Sequence, residues 1–267
     1  MEFTHALVRA VPRCYRSAYA SRGIQIDLAL ADAQHARYAR ALEAAGVVVT
    51  RVAADEAFYD SVFIEDTAIV WGNHALITRM TIHREGEQRG VAAVLDASHA
   101  LAYLSAGSQL EGGDVLHTEH ATYVGLTART NERGAGELAE FLGRFGRRVV
   151  AVPVTGTLHL KSVVTYPGNG TLLVAPGHVR LESFEADAII ETAEGEEGAG
   201  NCVRVRDTLL VPAGYPGTLD RLTQFAGRHS VHLVPLDLSE FAKGDGSATC
   251  LSLLWRQGSE PGPRGQR

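Results

Sequence analysis

One local pattern recurs along the chain with different residues each time: an apolar strand, a short polar turn, a second apolar strand, and then a stretch with helical spacing. It reads as "DTAIVWGNHALITR", "GDVLHTEHATYVGL", "VVTYPGNGTLLVAPG" and "CVRVRDTLLVPAG". In each, apolar runs of strand length flank turn-forming residues. "GTLLVAPG" and "DTLLVPAG" are close copies, and "HALITR" echoes "HALVRA" at residues 5–10. Helical spacing follows near residues 87–104, 132–145, more weakly 177–187, and 216–229. A further amphipathic segment, "ADAQHARYARALEAAG", follows the N-terminal strand, and "GVVVTRV", "RRVVAVP" and "SVHLVPLD" close helical segments as strands.

Four complete hairpins stand against five helices, and the missing partner lies at the two chain ends. "CLSLLW" near the C-terminus and "HALVRA" near the N-terminus pair to make a fifth hairpin and close a ring. A ring leaves no long open sheet edge for another chain to add to. An open α/β sheet with ordinary hairpins satisfies the same periodicity, which does not choose between the two. The segment "RQGSEPGPRGQR", residues 256–267, has no apolar periodicity and is expected to be disordered, leaving 1–255 as a single domain.

Composition narrows the function. The chain's 267 residues, 45% hydrophobic and 21% charged, suffice for a sizeable core. A net charge of -6 without a basic block argues against a nucleic-acid partner. No apolar run reaches membrane-spanning length, and "MEFTHALVRAVPRCYRS" lacks the plan of a secretory signal, so the expected location is cytoplasmic, away from membranes. Three cysteines, Cys14, Cys202 and Cys250, are too few and too scattered for a disulfide framework and read as reduced thiols. With no C-x-x-C and no H-E-x-x-H, a zinc site needs ligands gathered from distant segments.

In a rotational arrangement, the residues entering each first strand converge on one end of the axis. They are Glu65 and Asp66, Glu111 and Asp114, His159, Asn201, and Cys250. A thiol, an imidazole and several carboxylates around one cavity suit covalent catalysis on a cationic substrate. Each has a structural alternative. A lone cysteine is more often a small core hydrophobe, His159 can hydrogen-bond a strand carbonyl, and Glu111 and Asp114 can be turn acceptors beside two glycines. Glu65 and Asp66 are harder to dismiss. "VFIEDTAIV" reads as an apolar strand, where adjacent carboxylates cost several kcal/mol unless compensated.

The segments "DSVFIEDTA", "EGGDVL", "GLTARTNERG", "LHLKS", "GNCV" and "KGDGSATCLSL" run in family order from residue 60 to 254 and resemble the dimethylarginine dimethylaminohydrolases of the pentein, or guanidine-modifying, superfamily. The resemblance implies a five-bladed α/β propeller of pseudo-fivefold ββαβ modules, with no catalytic metal and no organic cofactor. It implies that Cys250 attacks the guanidinium carbon of an Nω-methylated arginine, with His159 as acid and then base, and Glu111 favouring the protonated imidazole. Asp66 is the first choice for gripping the guanidinium. Asp60 and Glu65 are placed near the substrate's amine end or at hydrogen bonds holding the pocket, and Arg84 and Arg129 at its carboxylate. Asn201, Lys161 and Asp245 match family positions as supports, and Gly244 lies in a glycine-containing segment expected to be mobile and to reach the substrate through its backbone. The expected partner is a small guanidine amino acid, and the expected assembly a monomer or homodimer.

The sequence departs from that pattern in two places. "HREGE" has one arginine where related enzymes often have two, which bears on Arg84, and "RCYRSAYASRG" is a shortened loop in which Tyr19 or Ala18 replaces a leucine that covers the substrate. Arginine deiminase-like or amidinotransferase-like chemistry on another guanidine is the alternative within the superfamily. A non-catalytic, ribosome-binding relative has no need of Cys250 or His159, and zinc capture by Cys250 with His159 is the third reading.

Overall fold

The computed structural model describes residues 2–258. The elements in chain order are β1 (His5–Arg9), α1 (Leu28–Ala44), β2 (Val48–Val52), β3 (Ala68–Trp71), β4 (His74–Ile77), α2 (Gln88–Leu95), β5 (Ala100–Tyr103), β6 (Val115–His117), β7 (Thr122–Leu126), α3 (Glu132–Gly143), β8 (Val149–Pro153), β9 (Val164–Gly168), β10 (Thr171–Val174), β11 (Ala188–Glu191), β12 (Val203–Val205), β13 (Thr208–Pro212), α4 (Pro216–His229), β14 (His232–Leu236), α5 (Ser239–Ala242) and β15 (Leu253–Trp255).

The strands form five sheets of three: β15-β1-β2, β3-β4-β5, β6-β7-β8, β9-β10-β11 and β12-β13-β14. In each, the first strand runs antiparallel to the second and the third lies parallel to it. This is the ββαβ plan of a five-bladed α/β propeller, the pentein fold. The two chain ends make the fifth hairpin, with His5 opposite Trp255 and Leu7 opposite Leu253, so the ring reading prevails over the open sheet.

The helices start where local chemistry allows. Asp27 accepts a hydrogen bond from the Leu30 amide at 3.0 Å to cap α1, Asn131 accepts one from Gly134 at 2.8 Å to cap α3, and Pro216 opens α4. Two of the expected helical stretches are corrected. Residues 177–187 contain only a 3₁₀ turn, Leu181–Ser183; Val179, Leu181, Phe184 and Ala186 pack on the core at spacings that keep no single helical face. The stretch 87–104 ends its helix at Leu95 and supplies β5 as the sheet's outer strand. Of the segment expected to be disordered, residues 259–267 lie outside the described residues.

A 3₁₀ turn precedes every first strand: Ile64–Thr67, Gly112–Asp114, Leu160–Ser162, Glu197–Gly200 and Thr249–Leu251. These turns gather at one end of the propeller axis, where that of Ile64–Thr67 touches those of Thr249–Leu251 and Gly112–Asp114, which in turn touches that of Leu160–Ser162. Glu65 and Asp66 therefore lie in a turn, not within a strand as "VFIEDTAIV" reads. A tight turn exposes backbone amides that a carboxylate can accept from, which a paired strand does not.

Candidate active site

His159 stands immediately before its turn and is 5% exposed. Its Nε2 lies 2.9 Å from Glu111 Oε2 and 4.0 Å from Asp66 Oδ1. The ring lies over Gly113, where a Cβ would come within 2.6 Å of Nδ1. Burial alone lowers the pKa of this imidazole, but Asp66, the hydrogen bond with Glu111 and the charge of Asp114 together raise it above its ordinary value. Burial likewise opposes ionisation of Glu111, yet the bond with His159 and the charges of Arg84 and Arg129 bring it to about 2. The surroundings of the pair thus favour an imidazolium held on a carboxylate.

Glu111 is fully buried and fixed from its other side. Its Oε1 accepts from the Thr81 amide at 3.1 Å, the Thr81 hydroxyl at 3.0 Å and Arg129 NH1 at 3.3 Å. Asp66 accepts from the Gly113 amide at 2.8 Å on Oδ1 and from Arg84 NH1 at 2.6 Å on Oδ2. Each carboxylate oxygen carries two lone pairs, so Asp66 retains acceptor capacity for a guanidinium.

Cys250 lies in the turn Thr249–Leu251, and its Sγ accepts from the Ser247 amide at 3.5 Å. Burial, followed by the negative charges of Glu65 and Asp66, pushes the thiol up to about 12. Asp66 thus neighbours both the thiol and the imidazole. Asn201 ties the turn down: its Oδ1 accepts from the Thr249 amide at 2.9 Å, while its Nδ2 donates to Lys161 O at 2.9 Å and to Thr249 Oγ1 at 3.0 Å. Lys161 forms an ion pair with Glu65, and both charges act on the thiol. Asp114 accepts from Thr127, Thr130 and the Leu160 amide, so it braces the turn that carries His159.

Arg84 is buried among carboxylates. It is 4% exposed, and its guanidinium donates to Asp66, to both oxygens of Glu87 at 3.1 and 2.8 Å, and to Phe63 O at 3.2 Å. Three carboxylates, Asp66, Glu87 and Glu111, converge on it and hold it as their shared counter-ion. The sequence carried one sign of this, Glu87 three residues on. Arg129, with its side chain 20% exposed, makes its side-chain hydrogen bonds through NH1, leaving Nε and NH2 without a partner among the described residues.

Of the two loop candidates, Tyr19 faces the site. It is 8% exposed and its hydroxyl donates to Asp60 Oδ1 at 2.5 Å. Burial and the Asp60 charge raise the phenol's pKa, which keeps the proton on it, and burial raises that of Asp60. Gly244 presses on Tyr19 so closely that a Cβ there would enter the phenol, and Asp245 beside it, at φ 60°, pairs with Arg22. Tyr15, which stacks on Phe241 and meets Tyr19 edge-on, supports this wall and was not foreseen. Neither was Thr81, for which the sequence held no signal.

Asp66, Glu111 and His159 lie close enough to share a metal ion, but Cys250 is not in that group. Arg84 NH1 already sits 2.6 Å from Asp66 and 3.8 Å from Glu111 and places a positive charge between them. The donor set fits a guanidinium-bearing site better than a cation cage.

No family model matches the chain. It is 32% identical over 94% of its length to the N(G),N(G)-dimethylarginine dimethylaminohydrolase of Pseudomonas aeruginosa, covering 99% of that protein. It is 36% identical over 87% of its length to the protein of the same name from Streptomyces coelicolor, covering 89% of it. The structure superposes on the Pseudomonas aeruginosa enzyme, solved as a cysteine-to-serine mutant complexed with citrulline, with a TM-score of 0.86, 30% identity and coverage of 95% of this chain and 100% of that one.

Proposed function

Because the chain belongs to the dimethylarginine dimethylaminohydrolase family, whose members are hydrolases with a cysteine nucleophile, we propose that it converts Nω-methylated arginine, asymmetric dimethylarginine or monomethylarginine, to citrulline and dimethylamine or methylamine. The observation that carries the reading is the His159–Glu111 hydrogen bond with Asp66 4.0 Å from the same imidazole nitrogen, and the turn of Asp66 against the turn of Cys250. The citrulline bound by the Pseudomonas aeruginosa relative is the product this reaction yields.

Mechanistically, the substrate guanidinium lies against Asp66, and its α-carboxylate meets the open donors of Arg129. The Cys250 thiolate forms a C–S bond to the guanidinium carbon. The tetrahedral adduct collapses with the C–N pair going to the departing amine, which takes a proton from His159 and leaves a covalent thiouronium. Neutral His159 then accepts a proton from water as the C–O bond forms. The C–S pair returns to sulfur, and loss of the remaining hydroxyl proton gives the urea of citrulline. The role of Glu111 is to keep the imidazole protonated for the first half.

A product-resolved assay over substituted arginines tests the reading. Citrulline with dimethylamine from asymmetric dimethylarginine, and none from arginine, is expected; the reverse pattern rejects the assignment in favour of a deiminase.

The free thiol, at about 12, is protonated at neutral pH, so the bound cation must supply the charge that favours the thiolate. Alkylation of Cys250, followed on its own peptide by mass spectrometry, is expected to be slow at neutral pH and to rise steeply only in strong base. A small guanidine ligand lowers the midpoint. Equal midpoints with and without it remove the idea.

A further inference from the structure

Thr81 stands where a side chain ordinarily serves its own backbone. It immediately precedes the 3₁₀ turn Ile82–Arg84, yet its hydroxyl does not cap that turn. Threonine is a common residue at such a position because its oxygen accepts from the amides a helical turn leaves open. Here the hydroxyl reaches instead to a carboxylate 30 residues away, 3.0 Å from Glu111 Oε1, and lies 2.9 Å from Arg129 NH1.

The direction of both bonds is forced. A guanidinium has no acceptor and a carboxylate no proton, so the hydroxyl accepts from Arg129 and gives its single proton to Glu111. Its bond from NH1 is shorter than the 3.3 and 3.4 Å contacts of the same nitrogen with the two Glu111 oxygens. Nor does the hydroxyl hold the two segments together by itself. Leu110 N donates to Arg79 O at 3.0 Å, and the Thr81 amide donates to Oε1 at 3.1 Å. The backbone thus keeps Glu111 in place, and the hydroxyl is a link from Arg129 to the carboxylate whose other oxygen holds His159.

We propose that the Thr81 hydroxyl is a positioning group that couples docking of the substrate's α-carboxylate on Arg129 to proton donation by His159. The proposal rests on the methylarginine mechanism above. Before docking, the full charge of Arg129 draws on the hydroxyl and, through it, on Glu111. A carboxylate on Nε and NH2 offsets part of that charge. Glu111 then holds the imidazolium more firmly, against the opposing charge of the substrate guanidinium. The other charges facing the pair, Asp66 and Asp114 on His159 and Arg84 on Glu111, are not relieved in this way.

The test compares Thr81→Val, which removes the hydroxyl and keeps the amide, with Thr81→Ser, which keeps both. Circular dichroism and thermal melting establish folding, and Thr81→Ala replaces the valine variant if that one is unfolded. Dimethylamine release in a single turnover is followed across pH with two substrates: asymmetric dimethylarginine, and the same dimethylguanidine on an aminobutyl chain, which lacks the carboxylate. The upper pH limit of this step marks loss of the acid's proton. In the wild type and Thr81→Ser it is expected to lie about one pH unit higher for the carboxylate-bearing substrate, a tenfold difference in proton affinity. Without the hydroxyl most of that separation is expected to vanish. A merely structural role shifts both limits together and keeps them apart. No separation in the wild type, or one that persists undiminished in the folded variants, overturns the coupling and leaves methylarginine hydrolysis standing. Failure of the wild-type enzyme to release dimethylamine from asymmetric dimethylarginine overturns both.

Discussion

Cys250→Ser is expected to abolish turnover, lowering kcat by about 10⁴-fold or more, while the protein folds and still binds methylarginine. The change replaces sulfur by oxygen in a turn otherwise held by Asn201 and Thr249, neither of which bonds to the side chain altered. An alcohol has a far higher pKa than a thiol. A bound guanidinium and the Ser247 amide can bring a thiol into reach of ionisation but not a serine hydroxyl. Titration calorimetry with asymmetric dimethylarginine reads the retained binding, and a citrulline assay reads the lost chemistry. Normal turnover by this variant contradicts the assignment of the nucleophile.

Arg84→Met is expected to cost about 3–5 kcal/mol of stability, the usual penalty for removing one partner from a buried ionic group. The guanidinium it deletes is buried among Asp66, Glu87 and Glu111, none of which is more than 4% exposed. Without it, the three buried carboxylates lose their shared counter-ion, and Arg129 and His159 remain on Glu111. Chemical denaturation, compared with Arg129→Met, separates structural from substrate-binding roles. Arg129 keeps donors unspent and its loss should chiefly raise KM. An Arg84 variant as stable as wild type, with only a raised KM, restores the role that the sequence implied for it.

Arg84 also shows where sequence reading ends. That several distant acids, a histidine and a cysteine meet at one end of a ring followed from the recurring hairpin and the residues entering each first strand. The pairing of the chain ends was one of two readings that the periodicity allowed, and the family resemblance favoured it. What each arginine touches was not legible, since a guanidinium at the mouth and one locked beneath it look alike in one dimension. The helix expected at 177–187 failed for a similar reason: its apolar residues pack on the core without lying on one helical stripe. Thr81, held by its backbone position opposite Glu111, leaves no pattern in the chain at all.

The pairing of β15 with β1 has a bearing on how the protein is made. During synthesis, His5 to Arg9 leaves the ribosome before the other described strands and must wait, one edge bare, until Leu253 to Trp255 can dock against it. Closure over such a sequence separation is slow by its nature. Cys250 travels with that strand, three residues before its pairing begins. A truncated or unfinished translation product therefore carries every acid of the pocket and the imidazole but no sulfur in place, and it acquires a reactive centre only at the moment its ring becomes whole.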